Sequence, residues 1–370
     1  MSEHTRHENA VHGDTTGQQT DGADDAAAKG TGAFSEPVAP PAVRPGPLRI
    51  AFDTFIVRRE AAIFLVAVGL LIYFWANNSD YLSHSNLVNL SQQTAPYAII
   101  AAGVVLLLVS GEIDLSVGSV FALSPFLMHY LVDYYGVYPI VAIIGSVLAG
   151  AAIGLVNGFV VVVLKVPSFV ATLGMLFLVL GIMLTTSHAY PAQIPEAAKG
   201  LEGWFGQADW AELIWCLIIV AVLHVVLTRT RWGLYTVATG GNPLGASEAG
   251  IRTGRIKTGN FMITSALGAF AGILEAFRVD SIDPSSAGAD GAAPMFLAVS
   301  AAVIGGTALA GGSGTVIGAL LGALVLAELR NGFNLIGISA NPFNIILGAA
   351  IIISMVLSVY LTRLRRAGRR

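Results

Sequence analysis

The sequence predicts an all-α protein that crosses a membrane about ten times. Of its 370 residues, 55% are hydrophobic and only 12% are charged, and the mean hydropathy is +0.71. Soluble globular chains carry about 25% charged residues. Apolar runs close to the length that spans a bilayer also recur between residues 61 and 361. Together these observations indicate a polytopic membrane protein.

The first 50 residues differ in composition from the rest of the chain. Residues 1–29 are polar and acidic, and residues 36–47 are rich in proline. Such segments bury too little apolar surface to fold, so we predict a disordered cytoplasmic tail followed by an extended linker. They contain no apolar stretch typical of a signal peptide. The sequence therefore divides into a tail, residues 1–50, and a transmembrane domain, residues 51–370.

Ten apolar segments make up the predicted transmembrane domain. Each is bounded by polar residues, or by the glycines and prolines that commonly end helices. The longer polar loop, residues 187–209, carries aromatic side chains typical of a membrane interface. The segments are residues 61–76, 96–109, 117–132, 139–164, 167–186, 211–228, 259–277, 295–310, 315–329 and 343–361.

The distribution of lysine and arginine predicts the orientation. Cytoplasmic loops of membrane proteins carry an excess of these residues. With the N-terminus inside and ten crossings, the outside holds only Lys199, Arg278 and Arg330. The inside then holds Arg58, Arg59, Lys165, Arg229, Arg231, Arg252, Arg255, Lys257 and five arginines between residues 363 and 370. We therefore predict that both termini lie in the cytoplasm.

The fourth and fifth segments share a pattern with the ninth and tenth. Each pair contains a Gly-x3-Gly-x3-Gly series, an Asn-Gly-Phe sequence, a proline and a further glycine. Asn157 and Gly174 are 17 positions apart, as are Asn331 and Gly348. On the predicted topology, one asparagine ends a segment inside and the other ends one outside. The pattern favours a five-plus-five inverted repeat over chance recurrence in a chain with 42 glycines. The Gly-x3-Gly series themselves are predicted to be helix-packing features.

Residues 111–120 place two carboxylates, Glu112 and Asp114, between the second and third apolar segments. Ionisable groups at such depth are costly and need internal partners or water. The glycines, together with Ser116 and Ser119, would let a helix break there. Two interpretations stay open: a broken helix that lines a transport path, or a tight interfacial turn whose carboxylates face water.

A polar loop, residues 229–258, has its own signals for a short helix. Asn242 can cap the helix, Pro243 suits its first turn, and Gly250 can end it. A short helix on a polar cytoplasmic loop suits docking to a soluble partner, although a plain linker would have the same composition.

Several stretches resemble the permease subunits of ribose-type sugar importers of the ATP-binding-cassette (ABC) class. Residues 111–119, GEIDLSVGS, are similar to that family's signature GGIDLSVGS, and residues 167–174, PSFVATLG, to its PxFIATLG segment. Residues 240–251 are similar to the family's large cytoplasmic loop. Residues 305–312 and 331–335 match its C-terminal half.

The resemblance covers residues 55–362 in the family's order, and two departures stand out. Glu112 lies where many members have glycine, and Leu244-Gly245 lies where many have acidic residues or alanine. The acidic N-terminal tail is outside the resemblance.

The resemblance implies a permease subunit that imports a monosaccharide, either a pentose, a hexose or a related polyol, across a bacterial plasma membrane. It implies a separate ABC ATPase subunit, which uses the ATP, an extracytoplasmic sugar-binding protein and a second permease copy in a homodimer. No nucleic acid partner and no cofactor of this chain are expected. The expected coupling residues are Gly241, Asn242, Pro243, Ala246, Ala249, Gly250 and Ile251. The expected residues of the translocation path or signature are Glu112, Asp114, Ser116, Asn157, Asn331 and Asn334. The three asparagines would either bond sugar hydroxyls or cap helix ends.

Other classes of protein fit the sequence less well. The chain lacks the Gly-Lys-Ser/Thr phosphate loop, so we predict a transport subunit rather than an ATP-hydrolysing enzyme. Cys216 alone cannot form a disulfide within the chain, and no cluster of His, Cys and carboxylates has metal-ligand spacing. The alternative is an ion-coupled secondary transporter in which Glu112 and Asp114 are the coupling carboxylates. The short helix in residues 229–258 favours the permease.

Overall fold

The computed structural model describes residues 59–337 and positions 345, 348, 349, 352, 353 and 356. The predicted tail and most of the tenth apolar segment therefore lie outside the described residues. Within residues 59–337, helices are the main regular element, and three short 3-10 helices occur at Ser79–Leu82, Glu196–Leu201 and Pro284–Ala287.

The α-helices of the described chain are numbered in order. They are α1 (Arg59–Asn77), α2 (His84–Val109), α3 (Val117–Asp133), α4 (Pro139–Val162), α5 (Ser168–Ser187), α6 (Glu202–Phe205), α7 (Ala211–Arg229), α8 (Arg231–Gly241), α9 (Pro243–Glu248), α10 (Thr253–Val279), α11 (Ala293–Ile304) and α12 (Val316–Leu335).

Seven of the described helices are long and apolar enough to cross a membrane, namely α1, α2, α4, α5, α7, α10 and α12. Helices α3 and α11 are apolar but shorter, with 17 and 12 residues. Each of the first nine predicted segments thus overlaps a helix, but the predicted end of the eighth segment at residue 310 is wrong, because α11 ends at Ile304 and a glycine-containing loop follows. The chain is a multi-pass membrane protein, and ten crossings stay a prediction.

Helix α2 begins much earlier than the sequence predicts. The apolar run begins at Pro96, but the helix begins at His84, where the Ser83 side chain caps the backbone N–H of Asn86. The polar residues of the added turns bond to their own helix, since Ser91 donates to the carbonyl of Val88. Hydroxyls that bond one turn back remove the cost of burying polar groups. Hydropathy alone therefore underestimates this helix.

Helices α2 and α10 lie at the centre of the bundle, and α10 packs against α2, α3 and α4. A Cβ on Gly154 in α4 would lie 2.4 Å from the carbonyl oxygen of Phe261 in α10. A Cβ on Gly322 in α12 would lie 2.0 Å from that of Ala301 in α11. Close approach matters here because apolar side chains gain little over lipid by packing together. The prediction that the Gly-x3-Gly series are packing features is confirmed.

Candidate functional site

The connection between α2 and α3, residues 110–116, is called the signature loop below. It begins where the α2 ladder ends, and Gly111 has φ +84°, a left-handed conformation that favours glycine. Three amides still bond back to carbonyls of α2: that of Ser110 to Leu106 at 3.1 Å, that of Gly111 to Leu108 at 2.9 Å and that of Glu112 to Leu107 at 3.1 Å. The remainder of the loop is held by other helices.

Asp114 is the centre of the signature loop and is only 2% exposed. The amide and hydroxyl of Ser116 donate to its Oδ1 at 2.9 and 2.6 Å. The Nδ2 of Asn157 in α4 lies 3.2 Å from Oδ2, and the hydroxyl of Ser265 in α10 donates to Oδ2 at 3.1 Å. Carboxylates accept strong bonds from such donors. Asp114 therefore joins the loop to two membrane-length helices.

Helix α5 holds the other side of the loop. The amide of Leu115 donates to Oγ1 of Thr172 at 3.1 Å, and that of Ile113 to Oγ of Ser168 at 3.4 Å. Ser168 and Thr172 are four positions apart, so they lie on one face of α5. Both belong to the PSFVATLG stretch, so its hydroxyls anchor the signature loop.

These contacts bear on the two interpretations of the stretch. The helix is broken between α2 and α3, as the first interpretation requires. Asp114 does not face water, as the second requires, because it is buried. Glu112 is also largely enclosed, with 10% of its side chain exposed, and it contacts Lys257 of α10. Whether this break lines a transport path stays a prediction.

The segment after α7 contains α8 and α9. The side chain of Asn242 accepts a hydrogen bond from the amide of Gly245 at 3.0 Å, Pro243 occupies the first turn of α9, and Gly250 has φ +81°. The predicted short helix is therefore confirmed, with the cap, first turn and left-handed stop assigned from the sequence. Leu244 on this helix is 71% exposed, whereas Ala246 is 5% exposed and packs within its own chain.

Three glycine-containing segments meet beside the signature loop. A Cβ on Gly240, at the end of α8, would lie 1.8 Å from the carbonyl oxygen of Val109 at the end of α2. That oxygen accepts a 2.8 Å hydrogen bond from the amide of Gly312, in the loop after α11. A Cβ on Gly311 would lie 3.2 Å from the Cα of Gly111. Backbone therefore packs directly on backbone between α8, α2 and this loop.

Asn331 and Asn334 are not part of this arrangement. They lie in the last turns of α12, near the end far from the Gly312 loop. Asn331 is buried and donates to the side chain of Asn86 at 2.9 Å, while Asn334 is exposed. Asn157 bonds to Asp114 and the hydroxyl of Ser116 instead. The structure thus brings Glu112, Asp114, Ser116 and Asn157 together and separates the other two asparagines from them.

Sequence reasoning missed several partners in this site, among them Lys257, Ser265, Thr172 and Gly240. Lys257 counted only as a basic residue near the cytoplasm, although a carboxylate at membrane depth signals that some cation lies nearby. Ser265 and Thr172 look like ordinary small residues of apolar helices. Within the described residues, no group of three or more His, Cys, Asp or Glu side chains is placed to hold a metal ion.

Comparison with known proteins identifies the family. Residues 86–355 match the sequence model of the family described as "Branched-chain amino acid transport system / permease component". The xylose/arabinose import permease protein XylH of Sulfolobus acidocaldarius is 40% identical over 315 residues, which cover 83% of this chain and 87% of that protein. The ribose import permease protein RbsC of Escherichia coli (strain K12) is 35% identical over 299 residues, covering 79% and 91%.

A further relative is more distant. The fructose import permease protein FrcC of Rhizobium meliloti is 29% identical over 308 residues, covering 81% of this chain and 83% of that protein. No solved structure matches the chain. The resemblance noted in the sequence is confirmed, and the chain belongs to the family of branched-chain amino acid transport system permease components.

Proposed function

We propose that this chain is the membrane-spanning permease subunit of an ABC importer that moves a monosaccharide into the cytoplasm. A separate ATPase subunit supplies the energy, and an extracytoplasmic binding protein delivers the sugar. The observation that carries the proposal is α9, a capped six-residue helix between membrane-length helices that presents an exposed leucine, Leu244. An exposed apolar side chain on a short helix suits a partner that covers it.

The geometry supports a mechanical role for α9. It is joined to α8, whose Gly240 packs on the end of α2, and it is followed by α10, whose Ser265 bonds to Asp114. A displacement of α9 by a docked ATPase would therefore act on both sides of the signature loop. Since Ala246 is turned into its own chain, Leu244, rather than Ala246, is the residue that a partner meets.

The relatives support the class of substrate. Their names describe the import of xylose and arabinose, of ribose, and of fructose, which are all neutral monosaccharides. Asp114 and Glu112 are engaged by hydrogen bonds and an ion pair, which is less favourable for the ion-coupled alternative. A pentose or hexose is therefore the proposed cargo.

Helix packing supports the inverted repeat as a proposal. Helix α3 packs on α4 as α11 packs on α12, and both α3 and α4 pack on α10 as α11 and α12 pack on α2. This exchange of partners is what a pseudo-two-fold axis in the membrane plane produces. Helices α1 and α7 do not follow the pattern, because α1 packs on α12 and α7 on α2.

We also propose a homodimer, which cross-linking of the membrane-embedded permease would test.

Both termini are proposed to be cytoplasmic, because this orientation places most of the lysine and arginine residues in cytoplasmic loops and at the C-terminus. A tag after Arg370 should resist protease added to intact cells and should be removed in inside-out vesicles. A tag between residues 206 and 209, in the loop before α7, should show the reverse accessibility. Cleavage of the terminal tag in intact cells would overturn both the orientation and the inversion of the repeat.

The function is tested by reconstituting the permease with its ATPase and binding protein. Sugar should accumulate only when both partners and ATP are present. Replacing Leu244 by Asp should lower uptake by about tenfold or more, because burying a leucine contributes about 1.5–3 kcal/mol. Uptake and ATPase activity are measured together.

The control is Leu244→Met, which keeps an apolar side chain of similar volume and should retain uptake. Uptake by the lone permease in a proton or sodium gradient would contradict the proposed function. Unchanged stimulation of both activities in Leu244→Asp would show that docking lies elsewhere.

A further inference from the structure

The contact between Glu112 and Lys257 joins the signature loop to α10. Lys257 Nζ lies 2.5 Å from Glu112 Oε1. Only 23% of the Lys257 side chain and 10% of the Glu112 side chain are exposed. Ion pairs shielded from water interact more strongly than exposed ones, and loss of one partner leaves a charge without compensation. The pair therefore ties two segments that are 145 positions apart in the chain.

Both ends of this contact lie where movement matters. Lys257 follows the end of α9 by nine positions and lies in the second turn of α10, so a short connection joins it to the proposed docking helix. Glu112 lies next to Gly111 and two positions before Asp114, in a loop that is held mainly by side-chain contacts. A displacement of Lys257 would thus act on Glu112 through the ion pair, and only Ile113 separates Glu112 from Asp114 in the chain.

The alternative is that the pair only stabilises the fold. Glu112 stands where the resembled signature has glycine, and glycine offers no side chain to Lys257. The contact is thus an additional connection, parallel to the backbone packing of Gly240 on Val109. Two connections, one on each side of α9, restrain the signature loop more tightly than one.

We propose that Glu112 and Lys257 are positioning residues that pass the displacement of the docking helix α9 to the signature loop, so that ATP hydrolysis in the partner subunit is matched to sugar movement. The proposal rests on the proposed function of the chain as an ABC permease.

The test reverses the charges in the full-length permease, as Glu112→Lys, Lys257→Glu and the double reversal. The permease is reconstituted with its ATPase and binding protein, and sugar imported per ATP hydrolysed is measured. Each single reversal places like charges in contact and should lower this ratio by about tenfold, and the double reversal should restore it to within about twofold. Reversal of the exposed pair Glu196 and Lys199 is the matched control and should change nothing.

Thermal unfolding of the permease alone tests the contact separately from transport. Single reversals should lower the unfolding midpoint and the double reversal should recover it. If stability follows this pattern while the import ratio of every variant equals that of the wild type, the pair is only structural and the proposal is overturned. If the wild-type complex imports no sugar at all, the proposed function fails, and the coupling role with it. If the double reversal does not restore the sugar imported per ATP hydrolysed, the proposed coupling role of the pair is overturned.

Discussion

Replacing Asp114 by alanine should destabilise the permease severely and abolish sugar import. The substitution removes the acceptor for the Ser116 amide, the Ser116 hydroxyl and the Ser265 hydroxyl and leaves these three donors buried without it, whereas Asn157 keeps its bond to the Ser116 hydroxyl. Each buried donor without a partner costs about 1–3 kcal/mol, so the total loss should be about 3 kcal/mol or more. The measurements are the midpoint of thermal unfolding in detergent and the amount of permease in membranes, followed by uptake.

Two variants show whether the effect belongs to this carboxyl group. Asp133→Ala removes an aspartate at the end of α3 whose side chain is partly exposed and should leave stability nearly unchanged. Asp114→Asn keeps the shape but replaces one acceptor oxygen by a donor group, which then faces other donors, so an intermediate loss is expected. Equal stability of Asp114→Ala and the wild type would mean that the hydrogen bonds of Asp114 do not hold the loop in place.

Local sequence signals predicted much of the helical structure. The bounds of α4, α5 and α7 follow the apolar segments closely, because their ends coincide with prolines, arginines and polar turns. Helix α9 was predicted from three residues, Asn242, Pro243 and Gly250, because helix caps depend on neighbours only a few positions away. The start of α2 was wrong because polar side chains that bond to their own helix look like a loop in a hydropathy profile.

The contacts within the candidate site could be predicted only in part. The two carboxylates in residues 111–120 indicated that internal partners were needed, but not which ones. Ser265 is 151 positions from Asp114, and both are brought together only by packing of α10 against α3 and α4. Short-range rules carry no information about such pairs. They also could not show that Ala246 packs inside the chain and that Leu244 is exposed.

The second large effect concerns the glycine contact that joins α8 to α2. Gly240→Ala would place a Cβ 1.8 Å from the carbonyl oxygen of Val109 and 2.9 Å from the amide nitrogen of Gly312. Contacts under 3.0 Å to backbone atoms are not tolerated by real Cβ atoms, so α8 must move away from α2. That shift disturbs the hydrogen bond between Val109 and Gly312, and it displaces α9.

Gly240→Ala should therefore lower stability by about 1–3 kcal/mol, the usual cost of overpacking, and reduce sugar imported per ATP more than it reduces ATPase activity. The neighbouring Gly241→Ala is the matched control. Its Cβ would lie 3.7 Å from the Cα of Gly312, an ordinary contact, so alanine at this last residue of α8 should leave stability nearly unchanged. The midpoint of thermal unfolding should thus fall for Gly240→Ala and stay nearly unchanged for Gly241→Ala. Similar shifts of the same sign in both would mean that helix propensity governs this segment, and that the contact between α8 and α2 contributes little to it.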